Sequence, residues 1–120
     1  MRQIMVCLAG GLLAGSMNCA FGQNYPTRPI RMIVPFGAGS GPDPIARRLA
    51  PRLTENLGQQ VIVENRAGGG GIIGTDAAAK APADGYTVAL AAIGTLAAGA
   101  LHAQLPYDPA RSFAPVALYY

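Results

Sequence analysis

The chain has 120 residues, of which 51% are hydrophobic and 12% are charged, and its formal net charge is +3 at pH 7. This length suits one domain, and so apolar a composition excludes an intrinsically disordered chain. The basic residues are scattered and are not interleaved with aromatic residues, so we expect no nucleic-acid partner. Both cysteines, Cys7 and Cys19, precede residue 23, which leaves residues 23–120 without a disulfide or a thiol nucleophile.

Residues 1–22 follow the order of features that is typical of a secretory signal peptide. Met1-Arg2 is a short positive start, Ile4 to Ala14 is an apolar run, and Ala20-Phe21-Gly22 offers small residues for cleavage. The run is shorter than the roughly 20 apolar residues that a membrane-spanning helix needs. The alternative, a buried N-terminal helix, would show an amphipathic period, and none is visible. We therefore predict export from the cytoplasm and a mature domain over residues 23–120.

The first glycine-rich loop follows a predicted strand. Ile30 to Val34 is almost continuously apolar, which is typical of a parallel strand covered on both faces. Residues 35–43 then read Pro-Phe-Gly-Ala-Gly-Ser-Gly-Pro-Asp. Asp43-Pro44 is a favourable helix start, because Asp caps free N–H groups and Pro fits the first helical position.

The helix that starts at Asp43 is predicted to end at Gly58, a residue type that is common just past a helix C-terminus. Pro51 lies inside it and is expected to kink it, because proline removes one helical hydrogen bond. An apolar stripe recurs every four residues, at Ile45, Leu49, Leu53 and Leu57.

The same order of strand, glycine-rich loop and helix follows a second time. Val61 to Glu64 is a predicted strand, and residues 65–71 read Asn-Arg-Ala-Gly-Gly-Gly-Gly. An alanine-rich helix is predicted from Ile72 to Ala81. Glycine lets backbone N–H groups approach a ligand, and a helix that starts past such a loop favours an anion there.

A third strand and helix, and then the start of a fourth strand, are predicted after residue 85. Tyr86 to Ala91 is a predicted strand, and Gly94-Thr95 opens a predicted helix that extends to about Gln104. Phe113 to Tyr120 is predicted to begin a fourth strand. Alternating strands and helices predict an α/β fold with a parallel sheet, in which ligands bind at the carboxyl ends of the strands. We expect the three loops to converge there on one anion-binding crevice.

Two other interpretations of the glycines stay open. The loops are also compatible with tight turns that bind nothing. A small dinucleotide-binding enzyme would place Gly37-Ala38-Gly39 at a pyrophosphate and Glu64 at a ribose, but Pro42 occupies the position of the third glycine in that fingerprint.

Residues for catalysis or metal binding do not stand out. His102 is the only histidine and has no metal-ligand partner near it in sequence, so we expect a structural or surface role. Asp43 is predicted to be a helix cap rather than a ligand contact, and Asp108 to stabilise a turn. With no Ser-His-Asp set and no paired carboxylates, we predict no enzyme activity and no cofactor.

A series of short motifs runs in order along residues 23–120. They are Tyr25-Pro26-x-Arg28-Pro29-Ile30-Arg31-x-Ile33-Val34-Pro35-Phe36, Gly39 with Asp43, Val63-Glu64-Asn65-Arg66, Gly68, Gly70-Gly71 and Gly74, Asp84-Gly85-Tyr86-Thr87, Gly94-Thr95, Leu105-Pro106-Tyr107-Asp108 and Phe113-Ala114-Pro115-Val116. Together they resemble the Bug family, the extracytoplasmic solute-binding receptors of tripartite tricarboxylate transporters.

The resemblance implies a type II periplasmic-binding-protein fold with two lobes, of which this chain would hold part of the first lobe and not the second. It implies a small carboxylate as ligand, held largely by backbone N–H groups, and the membrane subunits of a tripartite transporter as partners. By position, the implied ligand-binding residues are Phe36, Ala38, Gly39, Ser40, Gly41 and Asp43 in the first loop, Gly70, Gly71 and Ile72 in the second, and Gly94 and Thr95 in the third, where the Thr95 hydroxyl would donate.

The sequence departs from the family pattern at a few positions. Ser40 replaces a second glycine, Pro42 replaces a Thr or Ser and has no N–H to donate, and Ala98-Gly99 replaces an Asn-Pro pair. The identity of the carboxylate is therefore open. A second hypothesis is a truncated, non-functional remnant of such a receptor, in which a single lobe binds weakly.

Overall fold

The computed structural model describes residues 24–102 and 104–119. Its elements are β1 (Ile30–Val34), α1 (Asp43–Leu57), β2 (Val61–Asn65), α2 (Ile72–Ala79), β3 (Thr87–Ala89) and α3 (Ile93–Leu101), with a 3-10 turn at Gly69–Gly71 before α2. The strands form a parallel sheet in the order β2-β1-β3, so the α/β prediction is confirmed. The predicted signal peptide lies outside the described residues.

The central strand β1 carries the core. Ile30, Met32, Ile33 and Val34 are all buried, and only Arg31 is exposed, so both faces of the strand are covered. The βαβ crossovers through α1 and α2 run in opposite directions along the sheet, and right-handed crossovers of this kind put their helices on opposite faces. This arrangement brings the loops after β1, β2 and β3 to one edge of the sheet.

Helix α1 covers the sheet with small side chains at its centre. Ala46 and Ala50 are fully buried, while the longer side chains of the predicted stripe are half-buried around them and Leu57 is exposed. The helix continues through Pro51 and ends at Gly58, whose φ of 67° is the left-handed value that glycine adopts easily. At its start, Pro42 occupies the capping position, so the prediction that Asp43 caps the helix is wrong.

Residues 25–28, which precede β1, contact residues 84–86, which precede β3, at the amino end of the sheet. Tyr25 donates its hydroxyl hydrogen bond to the Gly85 carbonyl at 2.6 Å, and the Thr27 N–H donates to the Tyr86 hydroxyl at 2.9 Å. The Arg28 guanidinium lies over the Tyr86 ring and forms an ion pair with the neighbouring Asp84 carboxylate at 2.6 Å. These contacts hold residues 25–28 against the segment that leads into β3, at the end of the sheet remote from the loops.

The predicted fourth strand does not form in the described residues. Val116 and Leu118 are 86% and 93% exposed, and the described contacts of the segment include Phe113, edge-on to the Tyr107 ring at 5.8 Å, and the Tyr119 hydroxyl, which donates to the Ala91 carbonyl at 3.1 Å. A strand gains stability from a paired neighbour and a buried face, and this segment has neither. Asp108 does stabilise a turn as predicted, because its carboxylate accepts the Ala110 N–H at 2.8 Å.

The exposure of this segment leads to a prediction about solubility. Leu118→Asp is expected to change the free energy of unfolding by less than about 0.5 kcal/mol, since it alters an exposed site, and to reduce self-association. The checks are urea unfolding followed by circular dichroism, and light scattering. The matched control is Ile33→Asp, at a residue that is 1% exposed, and it should prevent folding. A large loss of stability in Leu118→Asp would show that the segment packs on the domain.

No helix within residues 24–102 and 104–119 has the length and apolar character needed to cross a membrane.

Candidate functional site

The three loops lie side by side at the carboxyl edge of the sheet. A Cβ added to Gly71 in the second loop would lie 3.2 Å from the ring of Phe36 in the first loop. The Asn65 side chain at the end of β2 donates to the Phe36 carbonyl at 3.2 Å, and the start of α3 packs on the 3-10 turn. The fold thus brings together backbone segments that are far apart in sequence.

Several N–H groups of the first loop donate hydrogen bonds to acceptors within the same loop. The Gly39 N–H donates to the Asp43 carboxylate at 2.7 Å, in a backbone conformation with φ of 80° that glycine tolerates. The Ser40 N–H and hydroxyl both donate to the Gly37 carbonyl, at 3.1 and 2.5 Å. The Asp43 N–H donates to the Ser40 carbonyl. The N–H groups of Gly39 and Ser40 therefore hold the shape of the loop, and their role as ligand donors stays a prediction.

In the second loop and at the start of α3, some N–H groups likewise donate to nearby backbone carbonyls. The N–H of Gly71 donates to the Gly68 carbonyl, and that of Ile72 to the Gly69 carbonyl, so both belong to the turn before α2. Thr95 is buried, its N–H donates to the Ala92 carbonyl, and its hydroxyl accepts the Ala92 N–H at 3.2 Å. Thr95 thus closes the first turn of α3. An accepting hydroxyl keeps its own hydrogen, so the role of Thr95 as a ligand donor stays a prediction.

The other implied site residues keep their N–H groups available. Within residues 24–102 and 104–119, no hydrogen-bond acceptor is found for the N–H groups of Phe36, Ala38, Gly41, Gly70 and Gly94. All except the half-buried Phe36 are exposed to solvent. A ligand acceptor arriving at this edge competes only with water for these donors. Unpaired donors from two loops and the first turn of α3 thus lie at one edge of a sheet, an arrangement to which an anion can bind.

A polar link joins the first and second loops below these donors. Asp43 is 3% exposed, and its carboxylate accepts from the Gly39 N–H, from Arg47 Nε at 2.9 Å and from Asn65 Nδ2 at 2.9 Å. Asn65 also accepts from the Arg47 guanidinium at 3.1 Å. Asn65 stands in a motif of the sequence without a predicted role. Its one local signal is a polar amide at the carboxyl end of a strand.

The hydrogen bonds to Asp43 keep its side chain ionised. The Gly39 N–H, followed by the Arg47 and Asn65 side chains, lowers the pKa of Asp43 from 3.8 to about 2. Asp43 therefore carries a negative charge at neutral pH, and Arg47 is its counter-ion. Such a carboxylate is an acceptor and cannot donate to a ligand carboxylate, so Asp43 organises the loop.

The contacts of Glu64 bear on the dinucleotide alternative. Its carboxylate accepts from Arg31 at 2.7 Å and from Arg66 at 2.6 Å, and these bonds lower its pKa. Both oxygens are engaged in ion pairs, so a ribose hydroxyl would compete with Arg31 and Arg66 for this carboxylate. Among the residues that the structure describes there is no group of three His, Cys, Asp or Glu side chains that could hold a metal, and His102 is exposed.

Comparison with known proteins gives a consistent family assignment. Residues 45–119 match the family described as tripartite tricarboxylate transporter family receptor. The chain is 51% identical over 96 residues to protein BugT of Bordetella pertussis, a match that covers 78% of this chain and 29% of that protein. It is 39% identical over 117 residues to a protein encoded in the tcbD-tcbE intergenic region of Pseudomonas sp. strain P51, covering 98% of this chain and 35% of that protein.

Solved structures agree with the sequence matches. MatC from Rhodopseudomonas palustris with bound malate superposes with a TM-score of 0.75 at 38% identity, and 78% of this chain covers 32% of MatC. The chain spans about a third of the length of the curated relatives that it matches. The described residues have the α/β fold of periplasmic binding proteins, as predicted. On the family match and these relatives, the chain belongs to the tripartite tricarboxylate transporter receptors of the Bug type, a family of periplasmic solute-binding proteins.

Proposed function

We propose that this chain binds a small dicarboxylate through the unpaired N–H groups of Ala38, Gly41, Gly70 and Gly94. The observation that carries the proposal is that these donors, from the first two loops and the first turn of α3, belong to exposed residues at the carboxyl edge of one parallel sheet. Parallel sheets bind their ligands at this edge. The malate bound to the related MatC supports a short dicarboxylate as the ligand class.

The charges around the loops favour recognition by neutral donors. The cationic side chains near the first two loops, Arg31, Arg47 and Arg66, are each paired with Asp43 or Glu64. Backbone N–H groups therefore remain as the donors for an arriving carboxylate. Neutral donors hold an anion without forming a fixed ion pair, which suits a protein that must later release its ligand.

The receptor role extends this binding activity to transport. As a periplasmic receptor of its family, the chain would present the carboxylate to membrane subunits of a tripartite transporter and would not turn it over. The export needed for this role is consistent with the signal-peptide features of residues 1–22.

The binding proposal is tested with malate on the full chain. In 15N-labelled protein, malate is expected to shift the amide signals of Ala38, Gly41, Gly70 and Gly94, with a Kd of about 1 mM or weaker, since one open edge covers only part of a ligand. The signals of Asp84 and Tyr86, at the opposite end of the sheet, should stay in place.

The control ligand is malamide, which has the same shape and no carboxylate. It should cause no shift at the four amides. Equal shifts with malamide would show that charge plays no part in recognition. If malate and other dicarboxylates of similar length leave all four amides unchanged, the binding proposal is wrong, and the non-functional remnant becomes the better hypothesis.

A further inference from the structure

The first loop and the second loop have few side chains with which to hold their own spacing. The first loop contains Gly37, Gly39 and Gly41, and the second contains a run of glycines from Gly68 to Gly71. Glycine has no Cβ and the largest backbone freedom of any residue. The relative position of the unpaired donors in these loops must therefore be set by groups outside the loop tips.

The link formed by Asp43, Asn65 and Arg47 is suited to this task. Asn65 Nδ2 donates to the first loop at the Phe36 carbonyl (3.2 Å) and to Asp43 Oδ1 (2.9 Å), and Asn65 itself directly precedes the second loop. Asp43 Oδ2 in turn holds the Gly39 N–H, next to the unpaired Ala38. One continuous chain of hydrogen bonds therefore runs from the end of β2 to the tip of the first loop.

Asp43 and Asn65 each use both of their side-chain polar atoms in hydrogen bonds, and the charge of Asp43 is paired with that of Arg47. Both Asp43 oxygens accept at least one bond, and both ends of the Asn65 amide are used, because its Oδ1 accepts from Arg47. The Asp43 side chain is 4% exposed. Asn65 is half-buried and the Arg47 side chain is exposed, so Asp43 is the buried member of the link. A buried carboxylate whose two oxygens both accept hydrogen bonds favours one geometry, since a shift would leave its charge without those partners.

We propose that Asp43 and Asn65 are positioning residues, which hold the donors of the first loop at the correct distance from those of the second without contacting the ligand. This inference rests on the proposed binding of a carboxylate by those donors. Its consequence is that affinity depends on side chains that lie beneath the site.

The test compares malate affinity in four forms of the full chain, followed by the same amide shifts. Asn65→Ala is expected to weaken binding about tenfold, because a misplaced donor loses most of its hydrogen-bond energy. Asn65→Asp should weaken it further, since two carboxylates would face each other. The swap Asp43→Asn with Asn65→Asp should recover part of the affinity, since it restores an amide–carboxylate pair between positions 43 and 65 but not the hydrogen bond to the Phe36 carbonyl.

The matched control is Arg28→Ala, which also removes an arginine ion pair, with Asp84, but at the end of the sheet opposite the loops. It should leave the Kd unchanged. Each form is measured at a temperature at which circular dichroism shows it folded. If the wild-type chain binds malate and Asn65→Ala binds it equally well, the positioning role is wrong and the binding proposal stands. A swap variant as weak as Asn65→Asp would also overturn the inference. Absence of binding in the wild type overturns both.

Discussion

Gly74→Ala is expected to lower the free energy of unfolding by about 3 kcal/mol or more, a large part of the stability of a small domain. Gly74 lies in α2 where the helix crosses the first loop. A Cβ there would lie 2.5 Å from the Arg66 carbonyl oxygen and 2.6 Å from Pro35 Cα. These are backbone atoms, so relief requires α2 to move away from both loops. Urea unfolding followed by circular dichroism measures the loss.

Gly94→Ala is the matched control for this substitution. Gly94 is also a helical glycine, in α3, but a Cβ there would meet nothing within 4 Å. The higher helix propensity of alanine should make this variant more stable by up to about 1 kcal/mol. If both substitutions have the same effect, the close approach of α2 to Pro35 and Arg66 does not limit stability.

Asp43→Asn is expected to make stability less dependent on pH in the acid range. The pKa of Asp43 is lowered from 3.8 to about 2 in the folded chain, so the unfolded chain takes up a proton first as the pH falls. The stabilisation from the ionised side chain is therefore complete above about pH 4 and is lost as the pH falls to about 2. The wild type should exceed the variant in stability at pH 7, and the difference should shrink across this window. Urea unfolding at pH 7, 4, 3 and 2 measures it.

The Gly39 amide signal gives an independent readout of the same titration. Because its N–H donates to the Asp43 carboxylate, its chemical shift should change with a midpoint near pH 2. Glu64→Gln is the control, since Glu64 also has a lowered pKa, caused first by Arg31 and then by Arg66, but has no hydrogen bond with Gly39. It should leave the Gly39 titration unchanged. A midpoint at the ordinary value of 3.8 would show that the bonds to Asp43 do not persist in solution.

The local pattern of the sequence was sufficient for most of the fold. The continuous apolar run of β1, the helix start at Asp43 and the stop at Gly58 were all predicted at the residues where they lie. Each depends on near neighbours in the chain, and so does the placement of the glycine-rich loops at strand ends. The fourth strand was wrongly predicted because a strand also needs a paired neighbour, which no local pattern supplies.

The family followed from the order of the motifs, and the α/β fold followed from the alternation of strands and helices. The distribution of free and occupied donors depended on the tertiary structure. From the sequence, we expected the N–H groups of both glycine-rich loops to be free for a ligand. In the structure the Gly39 N–H donates to Asp43, and Asn65 donates to partners 22 and 29 residues away. Such contacts form only after the sheet has brought β1 and β2 together. The roles of Asp43 and Asn65 are therefore properties of the folded chain, because hydrogen bonds between distant residues leave no periodic trace in the sequence.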